Sequence, residues 1–166
     1  METFTQIFRT ATAAIAPEYF LLPIHGAESV YRERVYCYEL YHQMRTLWPA
    51  DSLYRLNGEA DKRAHPYFED WGAPKPDFLV HQPGTSENYA VMEVKASHAV
   101  AHGIDKDLRT LEFFRNGIGY TRAIYLIFGA DALRVGERVR QHAGDLVRNG
   151  VFELWVHPVV GTEATH

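Results

Sequence analysis

The sequence predicts an α/β (α+β) protein with a mixed β-sheet of about four to five strands flanked by helices. Three observations lead to this class: a helical pattern precedes three short strand patterns, a second helix leads into a continuous apolar run, and helix and strand then repeat once. Strands joined by turns pair antiparallel, whereas strands joined through a helix pair parallel. The order α-β-β-β-α-β with an added helix and strand therefore predicts a mixed sheet.

Length and composition are those of a globular chain. With 46% hydrophobic and 13% aromatic residues, residues 1–166 are expected to form a single domain. The longest apolar-leaning stretch, ATAAIAPEYFLLPI, is interrupted by Pro17 and Pro23 and is too short to span a bilayer. The N-terminus lacks the basic and apolar regions of a signal peptide. With only one cysteine, Cys37, we expect a cytoplasmic protein without a membrane partner.

The first third of the chain predicts two helices. Apolar residues recur at helical spacing over residues 3–15, and Pro17 ends this helix. A longer helix is expected from about Glu28 to Trp48. Its apolar stripe consists of Val30, Cys37, Leu40, Tyr41, Met44, Leu47 and Trp48. Glu33 falls on this stripe, so its carboxylate is expected to face inward. The alternative is a glutamate at the helix end that reaches solvent or is stabilised by the helix dipole.

The next segment predicts a strand and a charged connection. Residues 52–56 (SLYRL) read as a strand, and Asn57-Gly58 predicts a turn directly after it. The charged residues beyond the turn include Lys62 and Arg63. These two side chains would be presented to phosphate if the segment lies at the mouth of a nucleic-acid site; the alternative is a solvated hairpin tip.

The centre of the chain, residues 76–95, predicts two strands joined by the turn PGTSEN. Side chains alternate along a strand, so Val91, Glu93 and Lys95 point to one face and the intervening apolar residues point to the other. Asp77 begins the first strand of this hairpin. The hairpin therefore places one carboxylate near the charged end of the neighbouring strand.

The register decides whether Asp77 shares a face with this charged end. A hairpin centred in the middle of its turn pairs Asp77 with Val94, on the apolar face. A one-residue shift or a bulge is needed to group Asp77 with Glu93 and Lys95. The sequence leaves this register open.

The second half of the chain alternates helices and strands. The pattern predicts a helix within 97–120, a strand buried on both faces at 123–130, a helix at 131–149, a strand at 152–158 and a frayed tail at 161–166. Asp105 and Asp107 lie near the start of the first of these helices, where the helix dipole stabilises negative charge.

The central acidic and basic residues have a defined chemical use. Hard cations such as Mg²⁺ prefer oxygen ligands, so Asp77, Glu93 and the carbonyl of Val94 could hold one ion together with water. Such an ion lowers the pKa of a bound water and neutralises charge on a phosphate. Lys95 could orient or help deprotonate the attacking water. Glu33 could complete the metal shell or help to bind a second ion.

At these residues the sequence resembles the PD-(D/E)XK nuclease superfamily. The match is Pro76-Asp77, fifteen intervening residues and Glu93-Val94-Lys95, with Glu33 in the preceding helix. The resemblance covers roughly residues 28–129. It implies a restriction-endonuclease-like core of helix, three strands, helix and strand.

The resemblance also implies a function. Asp77 and Glu93 would be metal ligands for Mg²⁺ or Mn²⁺, Lys95 the catalytic lysine and Glu33 an accessory ligand of a nuclease that hydrolyses DNA phosphodiester bonds in restriction, repair, recombination or phage defence. The partner would be DNA, including branched or single-stranded forms, and a homodimer would supply two sites for two strands. A net charge of −4 argues against binding by bulk electrostatics. The alternative is therefore an inactive nuclease-fold module that binds nucleic acid or a protein partner.

Overall fold

The computed structural model describes residues 2–58, 75–100, 103–144, 146 and 149–166. No helix within these residues is both long and apolar enough to cross a membrane. The elements in chain order are α1 (Glu2–Ala13), α2 (Pro17–Phe20), α3 (Glu33–Thr46), β1 (Arg55–Gly58), β2 (Phe78–His81), β3 (Asn88–Ala96), α4 (Ile104–Glu112) with a π-helical continuation (Phe113–Ile118), β4 (Arg122–Phe128), α5 (Ala132–Ala143) and β5 (Glu153–His157).

The strands form a five-stranded mixed sheet in the order β1-β2-β3-β4-β5. β1, β2 and β3 pair antiparallel, and β3, β4 and β5 pair parallel. The connections explain this pattern, because α4 lies between β3 and β4 and α5 lies between β4 and β5. The predicted mixed α and β architecture is confirmed.

Helices cover both faces of the sheet. α1, α2 and α3 pack on one face around a core that includes Met92 and Val94 of β3. α4 and α5 pack on the other face, where Val91 of β3 joins Leu79 and Tyr125. Val91 therefore faces the α4 and α5 layer. Because side chains alternate along a strand, Glu93 and Lys95 start from the same face of β3 as Val91.

α3 begins at Glu33, later than the predicted start at Glu28. Leu22 and Val30 form an isolated antiparallel bridge with backbone hydrogen bonds of 2.9 Å in both directions, and Arg32 has an extended backbone. This bridge holds the preceding chain away from helical geometry. As a result Glu33 lies in the first turn of α3, and its carboxylate is half-buried.

The turn predicted at Asn57-Gly58 is wrong. Both residues belong to β1, where Asn57 pairs with Leu79 and Gly58 pairs with Phe78. The β2 strand offers backbone partners to these residues, and this tertiary pairing overrides the local turn preference. Lys62 and Arg63, predicted as phosphate contacts, lie outside the described residues.

The expectation of a frayed tail is also wrong. Thr165 pairs with Val156 of β5 through two backbone hydrogen bonds of 2.8 and 2.9 Å. Ala164 is fully buried, and its backbone N–H donates to Thr12 Oγ1 of α1 at 2.9 Å. The C-terminal residues are fixed because their backbone groups have partners in the core.

Candidate active site

A bulge in the β2–β3 hairpin sets the geometry of the site. Near the turn, His81 pairs with Asn88, but one residue further along β2 Val80 pairs with Ala90. β3 therefore carries one extra residue relative to β2 at this point, which is the definition of a β-bulge. The register shift that the sequence required is present.

The bulge places Asp77 beside Glu93. Beyond it, Phe78, the first residue of β2, pairs with Met92. Asp77 directly precedes β2, and extending this register by one position sets it across from Glu93. If the register near the turn continued unchanged, Asp77 would instead lie across from Met92, whose side chain packs in the α1–α3 layer. One extra residue in β3 thus decides whether the two carboxylates share a face.

Asp77 also caps the end of the hairpin. Its Oδ2 accepts a hydrogen bond from the backbone N–H of Val94 at 2.7 Å. Burial raises the pKa of Asp77 to about 6, although the Val94 hydrogen bond opposes this rise. The N–H and C=O of one strand residue point to the same side, so the Val94 carbonyl lies on the β2 side of β3, as Asp77 does.

Glu93 is nearly fully buried. Its exposed fraction is 7%, and its strand position is in register with Tyr125 of β4. Burial, followed by the negative charge of Asp77, raises the pKa of Glu93 well above the usual glutamate value. Two desolvated carboxylates thus repel each other at this point of the sheet.

Lys95 lies between carboxylates from opposite helix layers. Its Nζ is 3.3 Å from Glu33 Oε1 of α3 and 3.5 Å from Asp107 Oδ2 of α4. Burial lowers the pKa of Lys95, but the charges of Asp107 and Glu33 outweigh this effect and hold it above the usual lysine value. The structure therefore brings Glu33 to Lys95, as a hydrogen-bond acceptor of the ammonium group.

Asp107 was missed as a site residue, because its position near the start of a helix was explained by the helix dipole alone. It is 5% exposed, and Tyr125 Oη donates to its Oδ2 at 3.2 Å. Burial raises the pKa of Asp107, against the opposing charge of Lys95. A signal was present in the sequence: Asp107 follows Ile104 by three residues and precedes Leu111 by four, which places it on the apolar stripe.

The site offers two carboxylates and one backbone carbonyl as oxygen donors. Within the described residues, no group of three or more His, Cys, Asp or Glu side chains is arranged to hold a metal ion. Asp77 and Glu93 supply two side-chain oxygen donors, and the Val94 carbonyl supplies a backbone donor of the kind that Mg²⁺ accepts together with water. The other two carboxylates contact the Lys95 ammonium instead, Glu33 Oε1 at 3.3 Å and Asp107 Oδ2 at 3.5 Å from Nζ.

The cluster consists of four carboxylates and one lysine: Glu33, Asp77, Glu93, Asp107 and Lys95. It lies toward the carboxyl end of β3, where parallel strands of open sheets commonly open onto a ligand crevice. Its excess of negative charge is only partly compensated. Such perturbed and uncompensated groups are typical of functional sites.

The chain was compared with protein-family models, with curated proteins and with solved structures. None of the three comparisons found a match. The function of the chain is therefore inferred from the charges and distances within this cluster.

Proposed function

We propose that this chain is a metal-dependent nuclease that hydrolyses DNA phosphodiester bonds and has a restriction-endonuclease-like core. The proposal is carried by one observation: Asp77 accepts a 2.7 Å hydrogen bond from the backbone N–H of Val94, the residue between Glu93 and Lys95 on β3. A structural ion pair needs one partner for each charge. Among the described residues, the two desolvated carboxylates share one nearby cation, Lys95, which is itself paired with Glu33 and Asp107. A divalent ion would supply further positive charge.

The order of elements supports the same proposal. α3, β1, β2, β3, α4 and β4 follow one another as helix, three strands, helix and strand, the order that the resemblance implies. The acidic pair lies on the central antiparallel hairpin of this series, and Glu33 comes from the helix before it. Both the order of elements and the positions of the charged residues on them therefore support the proposed nuclease.

In this mechanism Asp77, Glu93 and the Val94 carbonyl would hold Mg²⁺ or Mn²⁺, with Glu33 as an accessory ligand. When bound, the ion supplies an acidified water and positive charge beside the scissile phosphate. Lys95 donates hydrogen bonds from its ammonium group, so it can orient the attacking water or a phosphate oxygen. The buried surroundings of Glu93 strengthen these interactions, because they exclude bulk water.

Cleavage assays test this function. The wild-type protein is incubated with linear duplex, branched, single-stranded and mismatched DNA in Mg²⁺, in Mn²⁺ and in EDTA. We expect cleavage of at least one substrate with either metal and none in EDTA. Lys95→Ala should reduce the rate by about 10²- to 10⁴-fold, as expected for loss of a group that acts on the proton transfer. Asp77→Ala should abolish cleavage.

A matched control is Lys106→Ala, which removes an exposed lysine from α4 and should leave the rate unchanged. The nuclease proposal is contradicted if the wild type cleaves none of these DNAs, or if Lys95→Ala cleaves at the wild-type rate. DNA binding without cleavage by the wild type would favour the inactive module instead.

A further inference from the structure

We infer that Asp107 is a positioning residue, which holds the ammonium group of Lys95 in the site and is itself held by the hydroxyl of Tyr125. This inference rests on the proposed function, because it assigns a role within the same site. It adds two residues, from α4 and β4, that the Asp77, Glu93 and Lys95 pattern does not contain.

A lysine side chain needs such an anchor. Its four-carbon stem carries about 2 kcal/mol of rotamer entropy, and its point charge has no fixed orientation of its own. Two carboxylates meet the Lys95 ammonium, Glu33 Oε1 at 3.3 Å and Asp107 Oδ2 at 3.5 Å. They come from helices on opposite faces of the sheet, so together they limit the movement of Nζ in both directions.

Asp107 is the more rigid of the two anchors. The Glu33 side chain is 33% exposed, whereas the Asp107 side chain is 7% exposed. Tyr125 donates its hydroxyl to the same Oδ2 that meets Lys95, at 3.2 Å. Tyr125 is fully buried and lies in register with Glu93. The contact therefore ties the Lys95 anchor to the strand beside the proposed metal ligand.

The backbone at the start of α4 lies close to this contact. A Cβ built on Gly103 would lie 3.6 Å from Asp107 Oδ2 and 3.7 Å from Lys95 Cε. The chain at Gly103 thus lies close to the ion pair, whose side chains are 18% (Lys95) and 7% (Asp107) exposed. A shielded pair is weakened less by solvent screening than an exposed one.

The competing role for Asp107 is that of a further carboxylate ligand for the metal, beside Asp77, Glu93 and the accessory Glu33. Asp107 Oδ2 already accepts from Tyr125 and meets the Lys95 ammonium, which leaves only Oδ1 for an ion. A positioning residue and a ligand differ in what their removal changes. Loss of the first disorders Lys95, and loss of the second weakens metal binding.

The experiment compares Asp107→Asn, Tyr125→Phe and the control Asp105→Asn, which alters an exposed aspartate on the same helix. We expect Asp107→Asn to lower kcat by about 10- to 100-fold with KM within twofold of wild type, because a misplaced catalytic group affects the chemical step. Tyr125→Phe should lower kcat by about 5-fold, the effect of one lost hydrogen bond. Asp107→Glu should recover part of the loss, and Asp105→Asn should change nothing.

Two further readouts separate positioning from a structural role and from metal ligation. The affinity for Mn²⁺ should stay within twofold of wild type in Asp107→Asn. In the metal-free protein, the ¹H–¹⁵N NMR signal of the Lys95 ammonium should be observable in the wild type and in Asp105→Asn. It should be lost in Asp107→Asn, because only the more exposed Glu33 then holds the ammonium, and its protons exchange rapidly with water.

Each outcome decides the inference. Wild-type kcat in Asp107→Asn, a Mn²⁺ affinity lost as in Asp77→Ala, or an unchanged Lys95 signal would overturn it. If the wild type cleaves no DNA, the proposed function fails, and the NMR comparison still decides whether Asp107 fixes Lys95.

Discussion

Two charged regions of this protein differ in how their charges are balanced. At the amino ends of β4 and β5, Arg122 donates from Nε and Nη2 to both carboxylate oxygens of Glu153, each at 2.6 Å. Trp155 Nε1 also donates to Glu153, and Arg122 Nη1 donates to Thr5 Oγ1. Among the described residues, this region pairs the cation Arg122 with the anion Glu153, and both have several hydrogen-bond partners.

In the Arg122–Glu153 region, burial alone would raise the pKa of Glu153, but its hydrogen bonds from Arg122 and Trp155 lower the pKa below the usual value. The cluster toward the carboxyl end of β3 is the opposite case. Burial raises the pKa values of Asp77 and Glu93, and the Val94 N–H at Asp77 and the charge of Lys95 only partly oppose this rise. The first region thus stabilises the fold, whereas the second retains unfavourable charge. A protein keeps such charge where a function requires it.

The largest effect on stability is expected in the balanced region. Arg122→Met should lower the free energy of unfolding by about 2–3 kcal/mol, because it leaves the half-buried Glu153 without its bidentate partner. DNA cleavage per folded molecule should stay at the wild-type level. Urea unfolding measures the first quantity and the cleavage assay measures the second.

The control for this substitution is Arg134→Met. Arg134 pairs with Asp131 on the surface, with both side chains more than half exposed, so its loss should change stability by less than about 0.5 kcal/mol. Equal effects of the two arginine substitutions would contradict the structural role assigned to Arg122.

A smaller effect is expected from pH. Folding raises the pKa of Asp77 from 3.8 to about 6, so the folded state binds more protons than the unfolded state between these values. The stability of the metal-free protein should therefore fall as pH rises from about 4 through about 6. The free energy of unfolding should fall by on the order of 1–3 kcal/mol, since a shift of one pKa unit corresponds to about 1.4 kcal/mol.

Asp77→Asn should flatten this pH dependence and raise stability at pH 8. Glu153 contributes with the opposite sign, because its lowered pKa gives stability that is lost as pH falls below the usual glutamate range. Urea unfolding in EDTA from pH 4 to pH 8 measures both effects. Because Glu93 and Glu153 also contribute to the pH dependence, the difference between wild type and Asp77→Asn is decisive. An identical pH dependence of the two proteins would show that Asp77 carries no unfavourable charge.

Much of the fold followed from local patterns. The alternation along β3 and the helical stripes of α1 and α3 depend on the contrast between apolar and polar residues, and this contrast is visible in the sequence. The start of α3 and the fate of Asn57-Gly58 depend on pairing with distant segments. Local preference cannot predict such pairing, because it reflects only neighbouring residues.

The site was predictable to a similar extent. The common face of Glu93 and Lys95 follows from strand periodicity alone. The position of Asp77 depends on the bulge in β3. A bulge has no defined sequence signature, so the sequence shows only that a shift is needed for Asp77 to join Glu93 and Lys95. Asp107 lies on an apolar stripe, as Glu33 does in its own helix, and the same test applied to α4 would have included it.

The central claim is that Asp77 and Glu93, whose raised pKa values are only partly offset by Lys95, bind a divalent cation. Calorimetric titration of the metal-free protein with Mn²⁺ at pH 7.5 tests it most directly. The account predicts saturable binding to the wild type and to Lys95→Ala, and none to Asp77→Ala. Absence of binding to the wild type, or equal affinity in Asp77→Ala, would contradict it.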